Sequence, residues 1–325
     1  MRAIVIEKFG GPEVLTVKDV EIPSIEKNEV LIKTKAVSVN FADIKTRTGN
    51  FHAAGKPPII PGLDAAGIVE KVGEDVKDIK EGDRVIAFPK NGSYAEYIVA
   101  DSVLVFKIPD SMDFNTAAAS PLVAFTSYQL IKNVGRLEKG ETILIHAAAG
   151  GIGTTAIQIA RHLGAGTIIG TVGSDEKMKI AKDAGADIVI NYNKDDFKIV
   201  IEEKLGEQPV DVILDSVAGD VFQKSLECLA PYGRLVNFNS SSGKVGTLDT
   251  KELHSSCRAV LGFSMGTTIK KRPEMLKDIA KEVLPLLADN KVTMLINNTY
   301  SFEEASEAHR LLESRKSIGK NLLIP

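Results

Sequence analysis

Only two cysteines, Cys228 and Cys257, occur in 325 residues, so no disulfide framework beyond a single bridge can form. Histidine is scarce as well, with five scattered residues. A tetrahedral zinc site needs grouped nitrogen and sulfur ligands, and the chain has too few to supply one. Neither sign of charge dominates: 40 Lys+Arg stand against 43 Asp+Glu, a net charge of -3. A nucleic-acid binder normally carries a basic excess or stripe, so no nucleic-acid partner is expected. No apolar run reaches the ~20 residues that span a bilayer. The opening segment MRAIVIEKFGGPEVL goes directly into an alternating strand pattern, with no apolar signal core and no Arg/Ser-rich transit pattern. These absences predict a protein of the reducing cytoplasm with no membrane partner.

The rest is ordinary globular composition, with 44% hydrophobic and 26% charged residues. At roughly 150 residues per domain, the length favours two domains. The first hundred residues read as strands between turns. VLIKTKA (30–36), AGIVEKV (66–72) and DRVIAF (83–88) are the clearest, with turn signals at GGP, PP, PG and EGD. Near residue 115 the pattern changes. Strands at 141–147, 167–172, 187–192, 210–217 and 234–239 then alternate with helical stretches, which predicts βαβ units and a parallel sheet. The tail from Pro273 carries two helical stretches and two strands. Such an appendage could not bury a core alone, so it is expected to return to the first domain. The predicted class is α/β: a Rossmann doubly wound parallel sheet domain over 125–264, plus a discontinuous, mainly β domain over 1–124 and 265–325.

The segment HAAAGGIGTTA (146–156) ends a strand and opens a helix, the setting a phosphate-binding turn requires. Against G-x-G-x-x-G, the small residues are Ala148, Gly150 and Gly153. The backbone from Ala149 through Gly150, Gly151 and Ile152 to Gly153 can approach a pyrophosphate, and the helix N-terminus attracts its charge. An NAD site usually ends its second strand with an acid that holds the ribose 2′-hydroxyl. Here that strand ends Gly173-Ser174 with no acid at its tip. Ser174, Lys177 and Tyr192, with Gly173 leaving space, suit a 2′-phosphate, so NADPH is the expected cofactor. Asp175 lies 22 residues past Gly153 and reads as the N-cap of the next helix.

With these residues in place, the chain resembles the medium-chain dehydrogenase/reductase superfamily, and within it the zinc-independent quinone oxidoreductases of the zeta-crystallin-like branch. The likeness runs through GGPEVL (10–15), VSVNFADIKTRTG (37–49), GLDAAGIVEKVG (62–73), GDRVIA (82–87), HAAAGGIG (146–153), VILDSV (212–217), FNSSSG (238–243) and AHRLLESRKSIGKNLLIP (308–325). The resemblance implies a GroES-like catalytic domain from both chain ends, a Rossmann domain, a cleft between them and a homodimer formed through sheet edges. Zinc relatives place a Cys and a His–Glu pair where this chain has Asn40 and Leu63-Asp64, so no metal is expected.

In the motif N-F-x-D the family lines the nicotinamide end with Asn and Asp. Carried over, Asn40 and Asp43 become the catalytic candidates: Asn40 would donate to a developing oxyanion, and Asp43 would orient Asn40 or pair with Arg47. Asn40, Arg47 and Phe51 are the substrate-side candidates. Many relatives have a Tyr proton donor where Phe51 stands, so water is expected to complete proton transfer. Thr126, Asn239, Ser240, Ser241 and Lys320 are further expected cofactor contacts. The implied activity is NADPH-dependent reduction of quinones or related α,β-unsaturated carbonyls. A 2-enoyl thioester or alkenal reductase and a non-catalytic NADPH-binding sensor remain alternatives.

Overall fold

The computed structural model describes residues 1–50, 55–207 and 209–325. The chain divides into two units, Met1–Phe125 with Gly266–Pro325, and Thr126–Met265.

The first unit is built on a seven-stranded sheet. Its long central strand, Glu29–Val39, alternates buried and exposed residues over Ile32–Ala36, with Lys33 and Lys35 exposed, and is buried on either side of that stretch. It pairs antiparallel with Ala65–Val72, with Tyr97–Asp101 and with the last strand, Lys320–Ile324. The tail therefore supplies part of this sheet, and Ile296–Ser301 extends it by pairing parallel to Lys320–Ile324. Phe302, Ala305, Ala308 and Leu323 of the tail share one core with Ile4, Ile32, Val85 and Tyr94. Buried apolar area is the dominant favourable contribution to folding, so the two sequence ends cannot be separated cheaply. A short helix, Phe41–Arg47, leaves the central strand at Asn40 and begins the candidate site.

The second unit is a six-stranded, wholly parallel sheet. Its order from one edge is Ile188–Asn191, Thr167–Val172, Thr142–Ile145, Val210–Asp215, Leu229–Asn237, Ala259–Gly262. The first three strands in sequence run outward one way and the next three the other way. The order reverses between Thr142–Ile145 and Val210–Asp215, which is the doubly wound arrangement. Inner strands such as TILI and VDVILD are apolar almost throughout because helices cover both faces of such sheets.

The α-helix Pro121–Tyr128 continues as a π turn over Gln129–Val134. One local expectation is revised. Asp175 is not an N-cap: Ser174 holds that place with extended backbone, and Asp175 is the first helical residue of Asp175–Asp183.

Candidate functional site

In the second unit the strand Thr142–Ile145 runs into a turn and then the helix Gly151–His162. The left-handed residue of this turn is Ala147, with φ 53°, rather than Ala148. Ala148 instead packs against Gly170, where a Cβ would come within 2.8 Å of its methyl. Gly153 sits against the turn so closely that a Cβ would lie 2.4 Å from the Ala147 carbonyl oxygen. Gly150 is the N-cap, and no side chain caps this helix. The first N–H groups of a helix have no partner within it, and they carry the positive end of its dipole. The backbone of Ala149 to Gly153, Ile152 included, thus forms a cradle into which an anion fits. A dinucleotide pyrophosphate suits it.

The neighbouring strand ends complete this region. Gly173 and Ser174 follow Thr167–Val172, and Tyr192 follows Ile188–Asn191. The Tyr192 hydroxyl lies over Gly173, 2.6 Å from where a Cβ would stand. Lys177 is half-buried one turn into the helix, and burial pushes its ammonium below the usual lysine range. Asn239, Ser240 and Ser241 follow Leu229–Asn237, with the Ser240 N–H donating to Asn239 Oδ1 at 2.8 Å. Each of these lies at the carboxyl end of a parallel strand, where open α/β sheets bind ligands. Thr126, at the edge of this unit, is buried in the helix Pro121–Tyr128.

The first unit contains a different cluster, a buried polar network that sequence reading only partly anticipated. Asp64 is wholly buried. Its Oδ1 accepts from Ser38 Oγ at 2.6 Å and Asn40 Nδ2 at 2.9 Å, and its Oδ2 accepts from the Leu122 N–H at 2.9 Å. Lys320 Nζ donates to Asn40 Oδ1 at 2.5 Å and to the Val39 carbonyl at 3.1 Å. Burial lowers the Lys320 pKa, while Asp64 and Asp43 oppose that shift. Asp43 Oδ2 accepts from the Asn40 backbone N–H at 2.8 Å and from the Tyr94 hydroxyl at 3.0 Å. Tyr94 lies 3.1 Å from His309 Nε2. With its own proton on Asp43, Tyr94 accepts, so His309 carries its proton on Nε2. Burial and the nearby Arg47 charge push His309 down to about 3, which keeps it neutral.

This geometry corrects two expectations. Asn40 Nδ2 already donates to Asp64 and also lies 3.1 Å from Ser38 Oγ, so no amide hydrogen is left for an oxyanion. Arg47 does not pair with Asp43. Its guanidinium is buried and turned to the Gly10 carbonyl and the Glu313 carboxylate. Lys320, an expected cofactor contact, is held in this network by Asn40 Oδ1 and the Val39 carbonyl. Phe51 lies outside the described residues.

Asp43 is pushed up to about 7, chiefly by burial, with the Asp64 charge adding to the rise. The folded chain therefore holds this proton more tightly than the unfolded chain, and stability is lost as pH rises from about 4 to about 7. Asp43→Asn keeps an acceptor for both hydrogen bonds and removes the titration. Its Tm is expected to gain on the parent's progressively from about pH 4 to about pH 7. A Tm difference that stays constant over that range would contradict this assignment.

The comparisons with known proteins follow the same division. The family described as alcohol dehydrogenase GroES-like domain matches residues 26–110, and that described as zinc-binding dehydrogenase matches residues 151–281. Quinone oxidoreductase 1 of Escherichia coli is 38% identical, with 99% of each chain covered. The chain belongs to the quinone oxidoreductase family. A 2-haloacrylate reductase of a Burkholderia species is 33% identical over 99% of this chain and 98% of its own. Among solved structures, Escherichia coli quinone oxidoreductase complexed with NADPH matches with a TM-score of 0.93 at 36% identity, covering 100% of both chains.

No group of three or more His, Cys, Asp or Glu side chains able to hold a metal ion occurs among the described residues. No helix is long and apolar enough to cross a membrane among the described residues.

Proposed function

We propose that this member of the quinone oxidoreductase family is an NADPH-dependent reductase of quinones and related α,β-unsaturated carbonyls, and that it works without a metal. The observation that carries the reading is end-to-end similarity to a quinone oxidoreductase solved with NADPH, together with a glycine turn shaped for a pyrophosphate. Bound nicotinamide supplies a hydride, and a quinone that takes the hydride and one proton becomes a hydroquinone. The chain's part is to bind and orient. The N–H groups from Gly151 to Gly153 hold pyrophosphate oxygens, and the helix dipole adds to that attraction. Ser174, Lys177 and Tyr192 hold a 2′-phosphate, with Gly173 leaving room for the Tyr192 hydroxyl. Thr126 and Asn239 to Ser241 serve as further cofactor contacts. Asn40 and Asp43 act as positioning residues that fix Lys320 and the head of the helix Phe41–Arg47. Water supplies the proton, because the phenyl side chain of Phe51 has none to give.

A second reading, reduction of an activated carbon–carbon double bond, is favoured by the likeness to a 2-haloacrylate reductase. An acceptor panel separates the two. NADPH oxidation is measured with 1,4-benzoquinone, 9,10-phenanthrenequinone, a 2-alkenal and crotonyl-CoA, with a metal chelator present. Turnover with the quinones supports the proposal. Turnover confined to the alkenal or thioester moves the function to double-bond reduction.

A homodimer in the cytoplasm completes the reading. Among the described residues Ala259–Gly262 pairs on one side only, with Leu229–Asn237, so the sheet presents an edge able to continue into a second copy. Two unpaired cysteines, one exposed, suit a reducing compartment. Sedimentation at the monomer mass of 35.0 kDa would contradict the dimer.

A further inference from the structure

Asp175 stands, by count from the glycine turn, near where NAD-binding sheets keep the acid that grips an unphosphorylated ribose. In this chain the carboxylate is already occupied. Its Oδ1 accepts from Asn191 Nδ2 at 2.8 Å, and its Oδ2 accepts from Lys194 Nζ at 2.5 Å. Both partners come from the end of the adjacent parallel strand, where Asn191 is in register with Val172. The same two segments are joined again by Asn193 Nδ2, which donates to the Gly173 carbonyl at 2.7 Å, and by the Tyr192 hydroxyl above Gly173. Lys194 and Asn191 hold the Asp175 carboxyl below the usual carboxylate range.

The ion pair is more than half exposed on both sides, at 62% and 58%. Exposed pairs of this kind contribute little to folding stability. Its charge arithmetic is a different matter, because it sits beside Ser174 and Tyr192. A bare carboxylate there would repel a 2′-phosphate, and its lone pairs would be free to accept from a ribose 2′-hydroxyl. A carboxylate tied to an ammonium does neither. We propose that Lys194 is a specificity-determining residue that favours NADPH over NADH by neutralising Asp175. The inference rests on the proposed placement of the 2′-phosphate at Gly173, Ser174, Lys177 and Tyr192.

The test is a set of dissociation constants for NADPH and NADH, measured by titration at low ionic strength. The proteins are the parent, Lys194→Met, Asp175→Asn, the double variant and Lys177→Ala. Lys194→Met is expected to lower the NADPH:NADH affinity ratio by about tenfold, the order of one like-charge contact screened by water, as suits so exposed a pair. Asp175→Asn is expected to keep the preference for NADPH, and in its background Lys194→Met should no longer change the ratio. Unchanged thermal melting in these variants would confirm that folding is intact. Equal changes for both cofactors in Lys194→Met would overturn the inference. So would a full loss that persists in the Asp175→Asn background, which would make Lys194 a direct phosphate contact. If Lys177→Ala lowers the ratio while Lys194→Met does not, the inference fails and the phosphate site stands. If neither variant moves the ratio, the site itself is misplaced and the inference falls with it.

Discussion

Asp64→Ala is expected to lower the stability of the chain by about 3–5 kcal/mol, the usual result of removing one partner from a buried charged network. Asp64 is wholly buried and accepts three hydrogen bonds, from Ser38, Asn40 and the Leu122 N–H. Alanine would leave those three donors without an acceptor, each at a cost of about 1–3 kcal/mol if no water enters. It would also remove a negative charge that opposes the loss of the Lys320 proton. Asp64→Asn keeps the shape and one acceptor, so its loss should be smaller. Chemical denaturation of the three proteins measures this directly. A loss below about 1 kcal/mol for Asp64→Ala would mean that the network is dispensable.

Gly153→Val is expected to abolish NADPH binding, with a loss of affinity of at least about 100-fold. The new Cβ would lie 2.4 Å from the Ala147 carbonyl oxygen and 2.6 Å from the Ala148 backbone. These are main-chain atoms of the turn itself, so the helix Gly151–His162 must shift away from the strand end. The N–H groups then no longer converge on one anion. A circular dichroism spectrum that matches the parent would show that lost binding is not lost folding. Binding within about threefold of the parent would contradict the role assigned to the turn.

Much of the fold was legible because periodicity is local. Alternating runs such as VLIKTKA mark half-buried strands, and the regular change of strand and helix after residue 140 marks a parallel sheet. The glycine turn was legible for the same reason, since its residues are contiguous. The buried network was not. Lys320 and Asn40 are 280 positions apart, Tyr94 and His309 are 215, and Arg47 and Glu313 are 266. No spacing rule joins residues across such distances. Asp64 was visible only as a departure from a zinc-ligand pair, with no sign that it would anchor Ser38 and Asn40. Asp175 misled in a simpler way. A short acidic side chain before a helix reads as a cap, but Lys194 and Asn191 from the next strand draw its carboxylate away. The left-handed residue at Ala147 was likewise hidden, because alanine carries no preference for that conformation.

The most direct test of the account compares NADPH with NADH as donors to one quinone, followed at the absorbance of the reduced nicotinamide with a chelator present. Sustained quinone-dependent oxidation is expected, with kcat/KM for NADPH at least about tenfold above that for NADH. No oxidation of either donor, or equal efficiency with both, would contradict it.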